Sequence, residues 1–241
     1  MGTNEAFEEL MALGVQRHAA GDYIGALDVR REAWRLTPGN DLNAGRAARD
    51  QAASLDRLEW PEEAEYWARQ AFNIHNAMPM RGDKSELLRH RAASAMYVGH
   101  VLLRRAVTDD LKGSTEGYDY GVEAVGYLRT ALSDIDWAEK IAQIPIDQYR
   151  INITGRASMA ESLYGQRSRG LKLGIAAVGL AFGSESPKNP TSDHSLSLRG
   201  RGQAKAYAFI RGMAAIGINF FASPKENWRS RTALRLTNRF L

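Results

Sequence analysis

Cysteine is absent from the 241 residues of the chain, and its absence removes two classes of structure at once. No disulfide framework can form, and no metal site can use a thiolate ligand. The five histidines show none of the short spacings, such as HxxxH, at which helical histidines bind zinc or copper; they are His18, His75, His90, His100 and His194. We therefore expect neither a metal nor a cofactor.

Recognisable catalytic motifs are missing as well. The segment Gly200-Arg201-Gly202 resembles the start of a phosphate-binding turn, but no predicted strand precedes it and the third glycine of that motif is absent. Ser158 and Glu161 could act as a catalytic pair only if the fold brought them into one cleft, and no motif places them there. We expect a protein that has no catalytic residues and is not an enzyme.

Strand-forming residues are scarce. The sequence holds 35 alanines and 23 leucines but only 8 valines and 12 isoleucines. Because β-branched side chains lose rotamer freedom in a helix, this bias favours helices over strands. The first 20 residues also lack a basic start followed by an apolar core, so we expect no secretory signal and a cytoplasmic location. The composition predicts an all-α protein.

Proline is rare, and all seven prolines can be placed at the ends of periodic segments. The positions of the prolines predict ten helices, which pair into five hairpins. The predicted helices are 4–20, 23–37, 42–57, 61–77, 84–108, 118–142, 147–166, 168–183, 197–221 and 225–239. The stretch 184–195 is rich in serine, proline and asparagine, and we expect it to be a loop.

The clearest motif lies near the N-terminus, where glycine, small residues and one proline recur at fixed intervals. Its members are Leu13, Gly14, Gly21, Asp22, Tyr23, Ala26, Ala33 and Pro38. The pattern resembles the tetratricopeptide repeat (TPR), a 34-residue unit of two antiparallel helices. The resemblance implies that residues 7–40 form one unit, which must stack on neighbours to bury its apolar face.

Later units can be aligned on pairs of small residues seven positions apart in each second helix. Ala64 with Ala71 places a second unit near 45–78, Ala124 with Ala131 a third near 84–142, and Gly174 with Ala181 a fourth. The resemblance therefore implies a right-handed α-solenoid of about five hairpins. We expect the array at 1–183, the loop at 184–195, and an atypical basic hairpin at 196–241 that caps the array.

In TPR proteins the first helices of the hairpins line a concave groove in which a peptide or partner domain lies. The resemblance implies that exposed positions of these helices contact a protein partner, which makes the chain an adaptor or scaffold. The expected partner-binding residues are Glu8, His18, Arg46, Arg49, Asp56, Arg89 and Tyr97. Arg46 and Arg49 could hold an acidic group, because a guanidinium pairs bidentately with carboxylate or phosphate, although such residues more often form a solvated helix face.

One branch of the TPR family clamps the C-terminal carboxylate of a chaperone with lysine and asparagine side chains. Met11, Val15 and Ala53 stand at the positions where those residues would be required. We infer that this chain is not such a clamp.

Acidic residues are scarce in the last third of the chain. Residues 165–241 hold 13 Lys and Arg against 3 Asp and Glu, while residues 1–164 hold 19 against 25. This asymmetry supports an alternative function, in which the basic C-terminal third contacts nucleic acid. It is equally consistent with electrostatic attraction between the two ends of the chain. The anion-contacting residues of the alternative are Arg199, Arg201, Lys205, Arg229, Arg231 and Arg235.

The most apolar segment, 206–222, is flanked by basic residues and invites comparison with a membrane span. It holds Arg211 and Asn219, and its 17 residues fall short of the roughly 20 that a bilayer requires. We expect a buried helix in the last hairpin and no transmembrane segment.

Overall fold

The computed structural model describes residues 3–80, 84–143, 148–182 and 198–221. Within these ranges it contains nine α-helices and no strand, as the composition predicts. The helices are α1 Thr3–Ala19, α2 Tyr23–Arg35, α3 Leu42–Arg57, α4 Pro61–Ala77, α5 Lys84–Lys112, α6 Glu116–Ala142, α7 Gln148–Tyr164, α8 Arg167–Phe182 and α9 Leu198–Phe221. The predicted loop 184–195 and the predicted tenth helix at 225–239 lie outside the described residues.

Local chemistry sets the turns of the first two hairpins. Gly21 takes a positive φ of 84°, and the Asp22 carboxylate accepts a 2.9 Å hydrogen bond from the backbone N–H of Gly25. These two residues end α1 and cap α2, which explains the Gly-Asp-Tyr signature. Asp41 caps α3 in the same way, through a 2.7 Å bond from the N–H of Ala44. Pro61 begins α4 at a position where a missing N–H costs nothing.

The third hairpin differs from its predicted bounds at the turn. Helix α5 continues to Lys112 and α6 begins at Glu116, whereas the sequence predicts an end at 108 and a start at 118. Gly113, with a φ of 83°, terminates α5, and the N–H groups of Gly113 and Ser114 donate to the carbonyls of Asp110 and Asp109. Glycine rather than proline ends α5, so the positions of the prolines do not predict this helix end.

Neighbouring helices pack as hairpins, and successive hairpins pack in series. Four hairpins form, α1 with α2, α3 with α4, α5 with α6 and α7 with α8. Each second helix contacts the next first helix, in the pairs α2 with α3, α4 with α5 and α6 with α7, and first helices also contact one another, in the pairs α3 with α5, α5 with α7 and α7 with α9. The aligned small residues lie at the centre of this packing, since Ala26, Ala33, Ala64, Ala71, Ala124 and Ala131 are all fully buried. The arrangement is the TPR-like all-α solenoid that the resemblance implies.

The core is largest in the third and fourth hairpins. Its main cluster joins α5, α6 and α7 through side chains such as Leu102, Leu128 and Met159, and includes Ala52 of α3 and Ala68 of α4. Smaller clusters hold the first two hairpins together, around Phe7 in one and Leu55 in the other. The apolar surface is therefore distributed along the array.

The ninth helix packs on both α7 and α8. Glycines permit a close crossing with α8: a Cβ on Gly212 would lie 2.7 Å from the carbonyl oxygen of Gly174. The opposite face of α9 is exposed, as Met213 shows, so the helix is amphipathic rather than buried on all sides. Among helices of the described residues, none combines the length and apolarity that crossing a membrane would require.

Candidate functional site

The first helices of successive hairpins are α1, α3, α5, α7 and α9, and the predicted partner-binding residues belong to the first three of them. Glu8 of α1 and Arg46 of α3 bind each other through two hydrogen bonds of 2.6 and 3.1 Å. The Arg46 guanidinium also lies over the ring of Phe7, 5.4 Å from its centre. This bidentate pair fastens α1 to α3.

Arg49 lies inside the packing, with 3% of its side chain exposed. Its Nε donates to the Asp50 carboxylate at 3.0 Å, and its Nη1 donates to Nδ1 of His90 at 3.4 Å. Because the guanidinium is engaged between α3 and α5, it serves as an internal contact between two hairpins.

Asp56 is held by two cationic or polar side chains of α5. It accepts a 2.6 Å hydrogen bond from Arg104 Nη1 and a 3.3 Å bond from His100 Nε2. Burial acts to raise the pKa of Asp56, but the contacts with His100 and Arg104 outweigh it and lower that pKa below its usual range. The carboxylate is therefore charged and already neutralised within the fold.

His18 is half-buried, and its Nδ1 accepts a 3.3 Å hydrogen bond from Arg30 of α2. Arg30 is almost fully buried and also donates to the Asp50 carbonyl at 2.8 Å and to the Ser54 hydroxyl at 2.5 Å. Burial, with the nearby charge of Arg30, lowers the pKa of His18 to about 4. Arg30 thus connects the first hairpin to α3, and His18 binds Arg30 within that hairpin.

The two remaining predicted residues lie on α5. Arg89 is half-buried and interacts with other groups of the protein. Tyr97 is also half-buried, and its hydroxyl forms no hydrogen bond within the described part of the chain. Tyr97 is thus the one predicted residue whose polar group is left available to a ligand.

Three arginines outside the predicted set influence one another electrostatically, and Tyr97 acts on one of them, Arg156. They are Arg57 at the end of α3, Arg156 of α7 and Arg211 of α9, and we name them the inner arginine cluster. The charges of Arg57 and Arg156 both act on Arg211, and the charge of Arg57 acts on Arg156. Three first helices therefore contribute one cation each to the same region.

Arg156 has few partners for a buried cation. Its Nη1 lies 3.4 Å from Oδ1 of Asn152 and 3.8 Å from the sulfur of Met96, and its buried Nε has no hydrogen-bond acceptor in the described residues. Burial lowers the pKa of Arg156, and the positive charge of Arg57 adds to this effect, whereas Tyr97 and Asp56 oppose it. Such an arrangement is costly unless an anion compensates it.

Arg211 is the most deeply buried member, with 3% of the residue exposed. Its guanidinium lies over the ring of Tyr207, 5.2 Å from the ring centre, which is a cation–π contact. Burial lowers its pKa well below the usual value, and the like charges of Arg156 and Arg57 lower it further. Arg57 is the exposed member of the cluster, so the region opens to solvent.

A sequence signal for two of these arginines existed. Arg211 interrupts the most apolar segment of the chain, and Arg156 lies in a helix that shows almost no amphipathic pattern. Burying a cation within an apolar helix costs free energy. A buried arginine of this kind therefore indicates a functional site even where no motif is present.

A cavity of about 510 Å³ lies elsewhere, between α6, α7 and α8. Its cationic side chains are already neutralised: Arg150 pairs with Asp136 and Glu139, and Arg169 pairs with Glu161 at 3.2 Å. The matched charges distinguish this cavity from the inner arginine cluster.

The alternative anion-contacting residues are for the most part not described. Arg229, Arg231 and Arg235 lie outside the described residues, and so do the side chains of Arg199 and Arg201. Lys205 is half-buried on α9 and interacts with other groups of the protein. Nucleic-acid contact through these residues stays a prediction.

The fold, set beside known structures, is similar to TPR-like repeat proteins. A crystal structure of a Podosopora anserina protein, described as a kinesin light chain with nearly identical TPR-like repeats, superposes with a TM-score of 0.52 at 12% identity and covers 96% of this chain and 92% of its own. A variant of that protein with glutamine replaced by methionine gives a TM-score of 0.55 at 12% identity, with coverage of 100% and 95%.

No protein-family model and no curated protein sequence matches the chain. The similarity therefore shows the TPR-like fold, and the TPR resemblance is confirmed at that level. Repeats of this architecture serve as scaffolds for protein interaction, while a partner has to be argued from the side chains.

Proposed function

We propose that this protein is a non-enzymatic scaffold that binds a peptide segment or domain of a partner protein along the surface formed by its first helices. The observation that carries the proposal is the inner arginine cluster beside Tyr97. It adds positive charge from α3, α7 and α9 to the part of the array near Tyr97 of α5. A cytoplasmic location remains a prediction.

Arg57 and Arg156 contrast with the arginines of the array that pair with carboxylates. Elsewhere on the array arginines meet carboxylates in good geometry, as Arg91 does with Asp134 at 2.6 and 2.7 Å. Arg57 and Arg156 have no carboxylate partner among the described residues. Because a buried charge is usually compensated, Arg156 favours a partner that carries an anionic group.

Nearby aromatic groups suit a peptide ligand. Tyr97 is half-buried and Tyr207 is 43% exposed, and each offers an apolar ring with a polar tip. Rings of this kind are frequent in protein interfaces because they bury a large area at low entropic cost. An acidic segment in extended form could contact both the rings and the arginines.

Site-specific photo-crosslinking in the cells that produce the protein tests this proposal. A benzoylphenylalanine residue replaces Tyr97 in one variant and Tyr66 in the control, because Tyr66 is 57% exposed on the second helix α4. We expect the variant at Tyr97 to crosslink one reproducible protein and the variant at Tyr66 not to do so.

Two results would contradict the proposal. The first is equal crosslinking of the same protein from both positions, and the second is no protein adduct from Tyr97. Nucleic acid crosslinked from Tyr97 in place of protein would favour the alternative function.

A further inference from the structure

A second site, distinct from the inner arginine cluster, is the cavity of about 510 Å³ between α6, α7 and α8. We propose that this cavity binds a small uncharged aromatic molecule of the indole class, which carries a hydrogen-bonding atom on its ring. The cavity volume lies within the range of about 300 to 1,000 Å³ that is usual for small-molecule sites. None of the predicted partner-binding residues lines the cavity, so the site is independent of the scaffold function.

Aromatic rings join successive second helices at the two preceding junctions of the array. Trp34 of α2 meets Trp67 of α4 with 5.2 Å between ring centres, and Phe72 of α4 meets Tyr127 of α6 at the same distance. Both pairs are edge-to-face, an arrangement that aromatic rings favour. In each pair the first ring lies eight residues after the first small residue of its aligned helix, and the second ring lies three residues after that of the next helix. The two junctions therefore repeat one packing arrangement.

The third junction, between α6 and α8, holds small side chains at these two positions. The corresponding residues are Leu132 of α6, which lines the cavity, and Ala177 of α8, which is fully buried. Leucine and alanine fill much less space than two aromatic rings. Leu173, Ala176 and Leu180 add to the apolar lining. The cavity thus offers an apolar space at the junction where the repeated ring pair is missing, and an aromatic ligand fits it.

The charges at the cavity are balanced without a ligand. Arg150 pairs with Asp136 and Glu139, and Arg169 pairs with Glu161. A carboxylate on the ligand would compete with these carboxylates for the arginines, and a cation on the ligand would compete with the arginines. The matched pairs therefore favour an uncharged ligand.

One polar side chain of the lining has no partner. Thr154 of α7 is 3% exposed and lines the cavity, and its hydroxyl forms no hydrogen bond within the part of the chain that the structure describes. A buried hydroxyl left in this state costs free energy. The N–H group of an indole could donate to the threonine oxygen while the ring contacts the leucines. The ligand is therefore expected to carry one hydrogen-bonding atom on an otherwise apolar ring.

Titration of indole into the full-length protein, followed by saturation-transfer NMR, tests the assignment. We expect saturable binding with a dissociation constant below about 1 mM, which is within reach of so small a ligand. Indoleacetate should bind at least about tenfold more weakly than the uncharged indoleacetamide, because it brings an unmatched charge. Absence of saturable indole binding, or equal affinity for the acid and the amide, would overturn the proposal.

A variant that fills the cavity locates the site. Ala176 lines the cavity and is exposed, so A176W places a ring of the protein at the cavity and should lower the affinity for indole by at least about tenfold. The control A12W makes the same change at an exposed alanine of α1 and should leave the affinity unchanged. Undiminished affinity in A176W, or an equal loss in A12W, would show that indole binds at another place and overturn the assignment.

A second variant tests the hydrogen bond. T154V removes the hydroxyl and keeps the shape of the side chain, and it should lower the affinity for indole by about threefold to tenfold. N-methylindole has no N–H group, so T154V and the wild type should bind it equally. An equal loss for both ligands would contradict the role of Thr154 as the acceptor.

The source of the ring is tested with N-acetyltryptophanamide, which carries the same ring on a peptide backbone. This compound should bind more weakly than indole, because its two amide groups would lose water on entering the cavity. Tighter binding of N-acetyltryptophanamide would overturn the small-molecule assignment and favour a tryptophan side chain of a partner protein. Failure of indole to bind would leave the scaffold proposal standing, because Tyr97, the crosslinking position, does not line the cavity.

Discussion

Acidification from pH 7 to pH 5 should destabilise the protein through two buried histidines, His75 and His100. His75 is fully buried; its Nδ1 shares a 2.9 Å hydrogen bond with the Ser94 hydroxyl, and its ring stacks on His90 with 5.7 Å between ring centres. Burial lowers the pKa of His75 to about 3, with the charges of His90 and Arg49 adding to the effect.

His100 is 4% exposed, and burial lowers its pKa to about 4 despite the opposing influence of Asp56. Both histidines are thus neutral in the folded protein at pH 5. In the unfolded chain, where the pKa is about 6.5, both would be almost fully protonated at that pH. Unfolding therefore takes up protons, and the free energy of unfolding must fall as the pH falls below 6.5.

The size of the effect follows from linkage. For a folded pKa of about 4 or below and an unfolded pKa of about 6.5, each histidine loses about 2 kcal/mol between pH 7 and pH 5. His75 and His100 together give a loss of about 4 kcal/mol, a large share of the roughly 5 to 15 kcal/mol typical of a folded protein. The half-buried His18, whose pKa is also lowered to about 4, adds to this loss. Carboxylates such as Asp56 and Glu161, whose pKa values are lowered, contribute their loss at still lower pH.

Urea denaturation followed by circular dichroism at pH 7, 6 and 5 measures this dependence. The variant H75N removes one titrating group, so its loss between pH 7 and pH 5 should be smaller than that of the wild type by about 2 kcal/mol. S94A keeps the imidazole and should keep most of the pH dependence. A wild-type change below about 1 kcal/mol, or an undiminished slope in H75N, would refute the reasoning.

Three further perturbations test the packing and the caps by chemical denaturation. Gly45→Ala should lower the free energy of unfolding by about 1 to 3 kcal/mol, because the new Cβ would lie 2.2 Å from Nε2 of His75. Gly126→Ala is the control, since Gly126 is exposed in α6 and no atom lies within 4 Å of the new Cβ. An equal loss in both variants would contradict the clash. Asp134→Asn should lower the free energy of unfolding by about 3 kcal/mol, because it breaks the buried bidentate pair with Arg91. A change within about 0.5 kcal/mol, which is typical of neutral surface substitutions, would show that the pair contributes little. Asp22→Ala should cost about 1 kcal/mol through loss of the α2 cap, and an unaltered midpoint in urea would count against that capping role.

The helical architecture could be predicted because its signals are local. Proline at the start of α4, the caps at Asp22 and Asp41, and the alanine pairs of the second helices each act within a few residues of themselves. The TPR-like fold was confirmed on these signals. The turn between α5 and α6 was misplaced because a glycine in positive φ, rather than a proline, ends α5.

The candidate site was less predictable, because its properties depend on partners far apart in the sequence. Position on a first helix indicated that Arg46 and Arg49 could meet a ligand, but it could not show that Glu8 lies against Arg46 or that His90 lies against Arg49. The contribution of these residues to partner binding remains a prediction. Tyr97 was selected by position and keeps an available hydroxyl.

The sequence by itself determined the helices, their pairing into hairpins and their stacking in series, since the small residues seven apart in the first three units are all buried between helices. Only the tertiary structure decided which cations would be neutralised and which would not. Glu8 and Arg46 are 38 residues apart and meet, while Arg57 and Arg156 come from two helices and have no carboxylate partner among the described residues. Charge compensation is a matter of distance in space, and a one-dimensional sequence does not record it.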